Sequence, residues 1–228
     1  MDEKDIKLCQ ILLNNSRTPY EELAERLYIS INAVHKRVKA LEELRIIRAF
    51  VARPSLAALN ALNVWIFGRS ESKHHDVHSR LQENDSTYWV AYSGGEQVYV
   101  GGYLRDISEL ESYASFVRTS AQMPEPVVGI LPSFPRRVSF EQLRQLDYQI
   151  ISSLHRDSRK SLADIASEIH VTSKTVRNRL ERMMNNQLVD LTMDWYPDAS
   201  NDILAVMHLV LTAEVRNTSI YSLITALS

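Results

Sequence analysis

Two short rows of hydrogen-bonding side chains stand out for the chemistry they could do. The first is Asn32, His35, Lys36 and Lys39, and the second is Lys174, Arg177 and Asn178. Spacings of three and four residues place each row on one face of a helix. Each row opens behind a hydroxyl residue, Ser30 in the first and Thr172 with Ser173 in the second. Amide, imidazole, ammonium and guanidinium groups near a helix start are the donors that reach base edges and phosphates in a duplex groove. Arg17, Arg48, Arg159 and Lys160 lie near these rows in the chain and are expected to add phosphate contacts that position without specifying.

Other constellations carry less. His74 and His78 are four apart on an expected helix, but no third ligand lies nearby, so no metal is expected. Gly94-Gly95 and Gly101-Gly102 read as turn and strand-packing glycines, because no helix with Lys-Ser/Thr follows them. No nucleophile, base and acid fall into a spacing that argues catalysis. Neither an enzyme nor a cofactor is expected.

The elements behind the two rows come from an internal repeat. Shifting the sequence by 142 aligns it on itself without a gap over 43 pairs, from Asp5/Asp147 to Ile47/Val189. Seven pairs are identical, among them Ser16-Arg17 with Ser158-Arg159, Ala24 with Ala166, Val34 with Val176 and Arg37 with Arg179. The matches fall on apolar, small and capping positions, which is what a shared fold with divergent surfaces leaves.

Each copy reads as three helices. Asp2 caps the first, whose stripe is Ile6, Cys9, Leu12 and Leu13. Thr18 is expected to cap the second, with Pro19 at its first position and Glu21 closing the box. A tight turn at Tyr28-Ile29 precedes the third, whose inner face is Val34, Val38 and Leu41. The second copy repeats this with Ile165, Ala166 and Ile169, a turn at His170-Val171, then Val176, Leu180 and Met183. Helices joined by so short a turn cross steeply, giving a helix-turn-helix. Arg37 and Arg179 sit beside the inner stripe and suit an acidic partner on a neighbouring helix as well as they suit a nucleic acid.

Between the copies the period changes. Strands are expected at Val64–Phe67, Thr87–Tyr92, Val98–Leu104 and Val127–Leu131, with helices over Glu71–Asn84 and Asp106–Thr119. The order β-α-β-β-α-β is that of a ferredoxin-like sandwich, so the class is α+β. Tyr88, Trp89, Tyr99 and Tyr103 are expected on the sheet face away from the helices, where sheets of two chains would pair. The expected divisions are 1–53 for a first winged helix-turn-helix head, 54–135 for the sandwich, 136–192 for a second head and 193–228 for the start of a second sandwich. The apolar stretch Leu204–Leu209 matches Leu62–Phe67 under the same shift. That second sandwich would lack about 50 residues, so the chain reads as a piece of a longer parent.

Composition sets outer bounds. The chain has 228 residues, 45% of them hydrophobic and 24% charged, in the range of globular proteins. The net charge of −2 gives no general attraction to a polyanion, so any such binding must come from local placement. No apolar run approaches the ~20 residues of a membrane span, and no membrane role is expected. The acidic start, Met1-Asp2-Glu3-Lys4-Asp5, does not read as a secretory signal, and the single Cys9 fits a reducing cytoplasm.

The helical head with Ser16-Arg17, Leu23-Ala24, Ile29-Ser30, Val34 and Arg37, followed by β-α-β-β-α-β and by the same head again, resembles the leucine-responsive regulatory protein (Lrp/AsnC) family of transcription regulators. The resemblance implies that the heads bind double-stranded DNA. It also implies that the sandwich forms a homodimer or higher oligomer and senses a small-molecule effector. The loop that would hold the effector is Gly94, Gly95, Glu96 and Gln97, with Gln97 near the position where the family carries Asp. Tetrapyrrole-decarboxylating enzymes share the fold and are the alternative, together with an effector-binding scaffold.

Overall fold

The computed structural model describes residues 1–72, 74–131, 141–200 and 202; for residues 74, 75 and 198 it gives the backbone only. The apolar stretch Leu204–Leu209 of the expected second sandwich lies outside the described residues, as does the side chain of His74.

The first head comprises α1 (Glu3–Asn14), α2 (Tyr20–Leu27) and α3 (Ile31–Glu43). Asp2 and Asp5 exchange side-chain and backbone hydrogen bonds of 2.9 Å, fixing the start of α1. The start of α2 differs from expectation. The Thr18 hydroxyl turns back to donate to the Asn15 carbonyl at 2.8 Å and caps no helix N–H, and extended Pro19 stands at the boundary instead. Tyr28 closes α2 in the left-handed region, at φ 54°, and is 91% exposed. Ser30 caps α3 by accepting from the Ala33 N–H.

β1 (Ile47–Pro54) and the short α4 (Leu56–Leu59) lead into the sandwich. Its elements are β2 (Leu62–Arg69), α5 (His74–Leu81), β3 (Thr87–Ser93), β4 (Gln97–Leu104), α6 (Leu110–Ser120) and β5 (Val127–Leu131). The sheet is antiparallel with order β3-β4-β2-β5. Val64, Ile66, Val98 and Val100 point to the helix side and pack with Val77, Leu81, Tyr113 and Val117. Period-two alternation sends Trp65, Phe67, Tyr99 and Tyr103 to the other side. There Trp65 stacks with Trp89 at 5.2 Å, Phe67 with Tyr99 at 5.7 Å and Tyr88 with Tyr103 at 4.0 Å.

The second head comprises α7 (Gln145–Leu154), α8 (Leu162–Glu168) and α9 (Ser173–Asn185), followed by β6 (Val189–Trp195). Ser161 caps α8 and Thr172 caps α9. His170 takes the same left-handed turn as Tyr28, at φ 57°.

The heads are not independent. β1 and β6 pair antiparallel, with Phe50 opposite Met193 and Val51 opposite Thr192. Under the 142-residue shift these two pairs exchange places, so a pseudo-two-fold axis runs through the ribbon. Each strand completes the other head's core: Met193 is buried among Leu8, Leu12 and Val34, while Ala52 is buried among Ile150, Leu154 and Val176. The expected divisions at residues 53 and 192 fall inside this exchanged ribbon, which the local pattern of either strand does not reveal.

Candidate nucleic-acid interface

The axis is closed by the dipeptide that recurs in both copies. Ser16 and Ser158 hydroxyls meet at 2.6 Å, buried, from positions 142 apart. Arg17 Nη1 donates to the carbonyls of Ser158 (2.6 Å) and Lys160 (2.9 Å). Arg159 answers with Nε to the Ser16 carbonyl (2.6 Å) and Nη2 to that of Thr18 (3.5 Å), and its guanidinium lies over the rings of Tyr20 and Phe50. Burial pulls the Arg17 pKa below its ordinary value.

This corrects the expectation that Arg17 and Arg159 grip phosphate. Their donors face backbone carbonyls in the other head's loop between its first and second helices, groups that no helix or strand satisfies. The other two expected phosphate ligands are also engaged. Lys160 Nζ pairs with Glu168 at 2.7 Å, holding that carboxyl below its ordinary pKa, and Arg48 lies over the Tyr196 ring at 3.2 Å. The recurrence of Ser-Arg in a repeat with only seven identities was the available signal for an axis, since residues on a two-fold meet their own equivalents.

The third helices present the other expected residues together. On α3, Ser30, Asn32, His35, Lys36 and Lys39 are exposed, and so are Thr172, Ser173, Lys174, Arg177 and Asn178 on α9. Lys36, Lys174 and Arg177 have no ion-pair partner among the described residues. Lys39 makes only an exposed i,i+4 pair with Glu43 at 3.7 Å, which is weak in water. His35 sits edge-on to Tyr20 at 4.2 Å, beside a cleft of about 420 Å³ lined also by Thr18, Glu21 and Arg159.

Arg37 and Arg179 orient these helices. Arg37 reaches Asp5 at 2.6 Å and Asp2 at 2.8 Å on α1, and these hydrogen bonds raise its pKa. Arg179 lies 3.7 Å from Asp147, the equivalent residue on α7. There Arg182 takes over, reaching Asp147 at 2.5 Å and Glu141 at 2.5 Å. The position matching Arg182 is Ala40, so this second clamp belongs to one head alone.

Gly94, Gly95, Glu96 and Gln97 come together at the β3–β4 hairpin. Gly95 (φ 74°) and Glu96 (φ 64°) supply the left-handed turn, and Glu96 pairs with Arg69 at 2.9 Å. The hairpin stands at one end of the sandwich sheet. Among the described residues no group of three or more side chains is arranged to hold a metal ion.

A winged helix-turn-helix DNA-binding model matches residues 1–48, and an AsnC-type helix-turn-helix domain model matches residues 145–184. Among solved structures, E. coli AsnC shares 20% identity over 59% of this chain and 94% of its own, at a TM-score of 0.41. The siroheme decarboxylase NirDL shares 13% over 84% of this chain and 65% of its own, at 0.49. LysM of Sulfurisphaera tokodaii, an HTH-type transcriptional regulator, is 44% identical over 50 residues, 22% of this chain and 36% of its own. The HTH-type transcriptional regulator LrpA of Pyrococcus horikoshii is 36% identical over 118 residues, 50% of this chain and 84% of that protein. The chain therefore belongs to the Lrp/AsnC family of helix-turn-helix transcription regulators. Within that family it is a protein with two heads joined into one body by an exchanged β-ribbon.

Proposed function

We propose that the chain regulates transcription by laying α3 and α9 into successive major grooves, with Asn32, His35, Lys36, Lys39, Lys174, Arg177 and Asn178 reading base edges. The observation that carries this is the pair of exposed donor faces on two heads related by the pseudo-two-fold of one ribbon. Ser30, Thr172 and Ser173 bring hydroxyls and free helix N–H groups to flanking phosphates. Two heads engaging one side of B-form DNA need half-sites roughly 10 bp or a multiple apart.

The sandwich pairs with that of a second chain through the aromatic face of Trp65, Trp89, Tyr88 and Tyr103, and the hairpin Gly94–Gln97 contributes to a small-effector site. The protein works in the cytoplasm and has no catalytic step of its own. Among the described residues, no helix is long and apolar enough to cross a membrane.

Footprinting on DNA upstream of its own gene tests the central claim. A protected region with two contacts about one helical turn apart is expected, weakening steeply as salt rises because counterions are released. Absence of protection with affinity flat in salt would refute it. Light scattering at micromolar concentration should give a dimer; a monomer would remove the sandwich interface. A tetrapyrrole absorbance band copurifying with the chain would favour the decarboxylase alternative.

A further inference from the structure

We propose that the operator is asymmetric: two unlike half-sites in inverted orientation, one for each head of a single chain. The inference rests on the DNA-binding reading above and goes beyond it in specifying what sequence the two heads together accept.

Orientation follows from the ribbon. Phe50/Met193 and Val51/Thr192 exchange under the repeat shift, and Arg17 and Arg159 make reciprocal bonds to the carbonyls of residues 158 and 160 and of residues 16 and 18. The heads are thus related by a two-fold rotation and not by a translation. A rotation axis matches the dyad of an inverted repeat, whereas a direct repeat needs translated heads.

Unlikeness follows from where the repeat has kept its residues. All seven identities build the body. Leu12, Ala24 and Val34 are core, Ser16 and Arg17 close the axis, and Asp5 with Arg37 clamps the third helix; their partners in the second copy lie in the same places. None lies on the exposed face of α3 or α9. On that face Asn32 is matched by Lys174, His35 by Arg177, Lys36 by Asn178 and Lys39 by Glu181. Every matched pair changes chemical type or hydrogen-bonding geometry. Asn suits adenine, Arg and Lys suit guanine, and a carboxylate accepts from an exocyclic amine, that of cytosine above all, and repels phosphate. Like scaffolds docking unlike donor rows read unlike bases.

Enrichment of binding sites from random duplex DNA by the whole chain tests this. The expected result is a motif of two different half-sites, inverted, with centres about one helical turn or a multiple apart. Replacing the α9 half-site with an inverted copy of the α3 half-site should weaken binding roughly tenfold or more per mismatched base pair. A second protein carries Lys174→Asn, Arg177→His, Asn178→Lys and Glu181→Lys, all at exposed positions. It should enrich a palindrome built from the α3 half-site, a gain that misfolding cannot imitate. A palindrome, a direct repeat or a lone half-site from the natural chain overturns the proposal and leaves DNA binding standing, as does an unchanged motif from the variant. Enrichment of no sequence overturns both.

Discussion

Arg17→Met is the sharpest probe of how the heads are joined. The substitution keeps the aliphatic stem and deletes the guanidinium. With it go two charge-assisted hydrogen bonds to the Ser158 and Lys160 carbonyls, at 2.6 and 2.9 Å. Hydrogen bonds to a charged group contribute about 1.5–3 kcal/mol each. Arg17 is half-buried, so water takes over part of that deficit, and about 2–3 kcal/mol in total is expected. For a chain of this size that is a fall of roughly 4–12 °C in Tm. Arg159→Met should cost a similar amount, since it gives up the hydrogen bond to the Ser16 carbonyl and its place over Tyr20 and Phe50. The double variant should be less destabilised than the sum, because both side chains close one axis. Urea unfolding supplies the stabilities, and the salt dependence of operator binding supplies the control. A side chain that holds the heads together leaves the slope of log K against log salt unchanged. Unaltered stability together with a slope reduced by about 0.9 would make Arg17 a phosphate ligand and refute the reasoning.

Lys36→Ala combined with Lys174→Ala should weaken operator binding by about 1–3 kcal/mol for each side chain that reads a base, measured by titration at fixed salt, with Tm unchanged. Gly102→Ala places a methyl group into the Tyr113 ring, which is 3% exposed, and should destabilise the sandwich by about 1–3 kcal/mol in thermal unfolding. Tyr28→Gly relieves a left-handed residue whose side chain is almost fully exposed, and should raise stability by about 0.5–1 kcal/mol. Burial lifts the Cys9 thiol from 9.0 to about 11, so the folded chain keeps a proton that the unfolded chain releases. Stability from this group therefore falls between pH 9 and 11, by about 1.4 kcal/mol per pH unit, and Cys9→Ala should flatten the unfolding profile across that window.

Much of the fold was legible because its signals are local. Apolar spacing in α1, α3 and α9 and hydroxyl caps at Ser30 and Thr172 place the helices, and the repeat carries α7 with them. A buried apolar run in β2 and the apolar, glycine-bounded strands β3 and β4 place the sandwich. The donor rows on α3 and α9 were readable for the same reason, since one helical face needs only a spacing of three and four. The ribbon was not readable: β1 and β6 lie far apart in sequence, and neither strand encodes its partner. The fate of Arg17 and Arg159 was hidden with it, because a guanidinium looks the same whether its acceptor is a phosphate or a carbonyl. Thr18 misled for a smaller reason: its hydroxyl could accept from a helix N–H or donate to a carbonyl behind it, and it turns to the Asn15 carbonyl.

The exchanged ribbon also sets how the heads behave on dilution. In a regulator assembled from separate subunits, paired heads come apart once protein concentration drops below the dissociation constant of the assembly. Here the two halves share one backbone, so their reunion is governed by a local effective concentration in the millimolar range, whatever the number of molecules in the cell. A single copy of the chain is then already a two-headed reader.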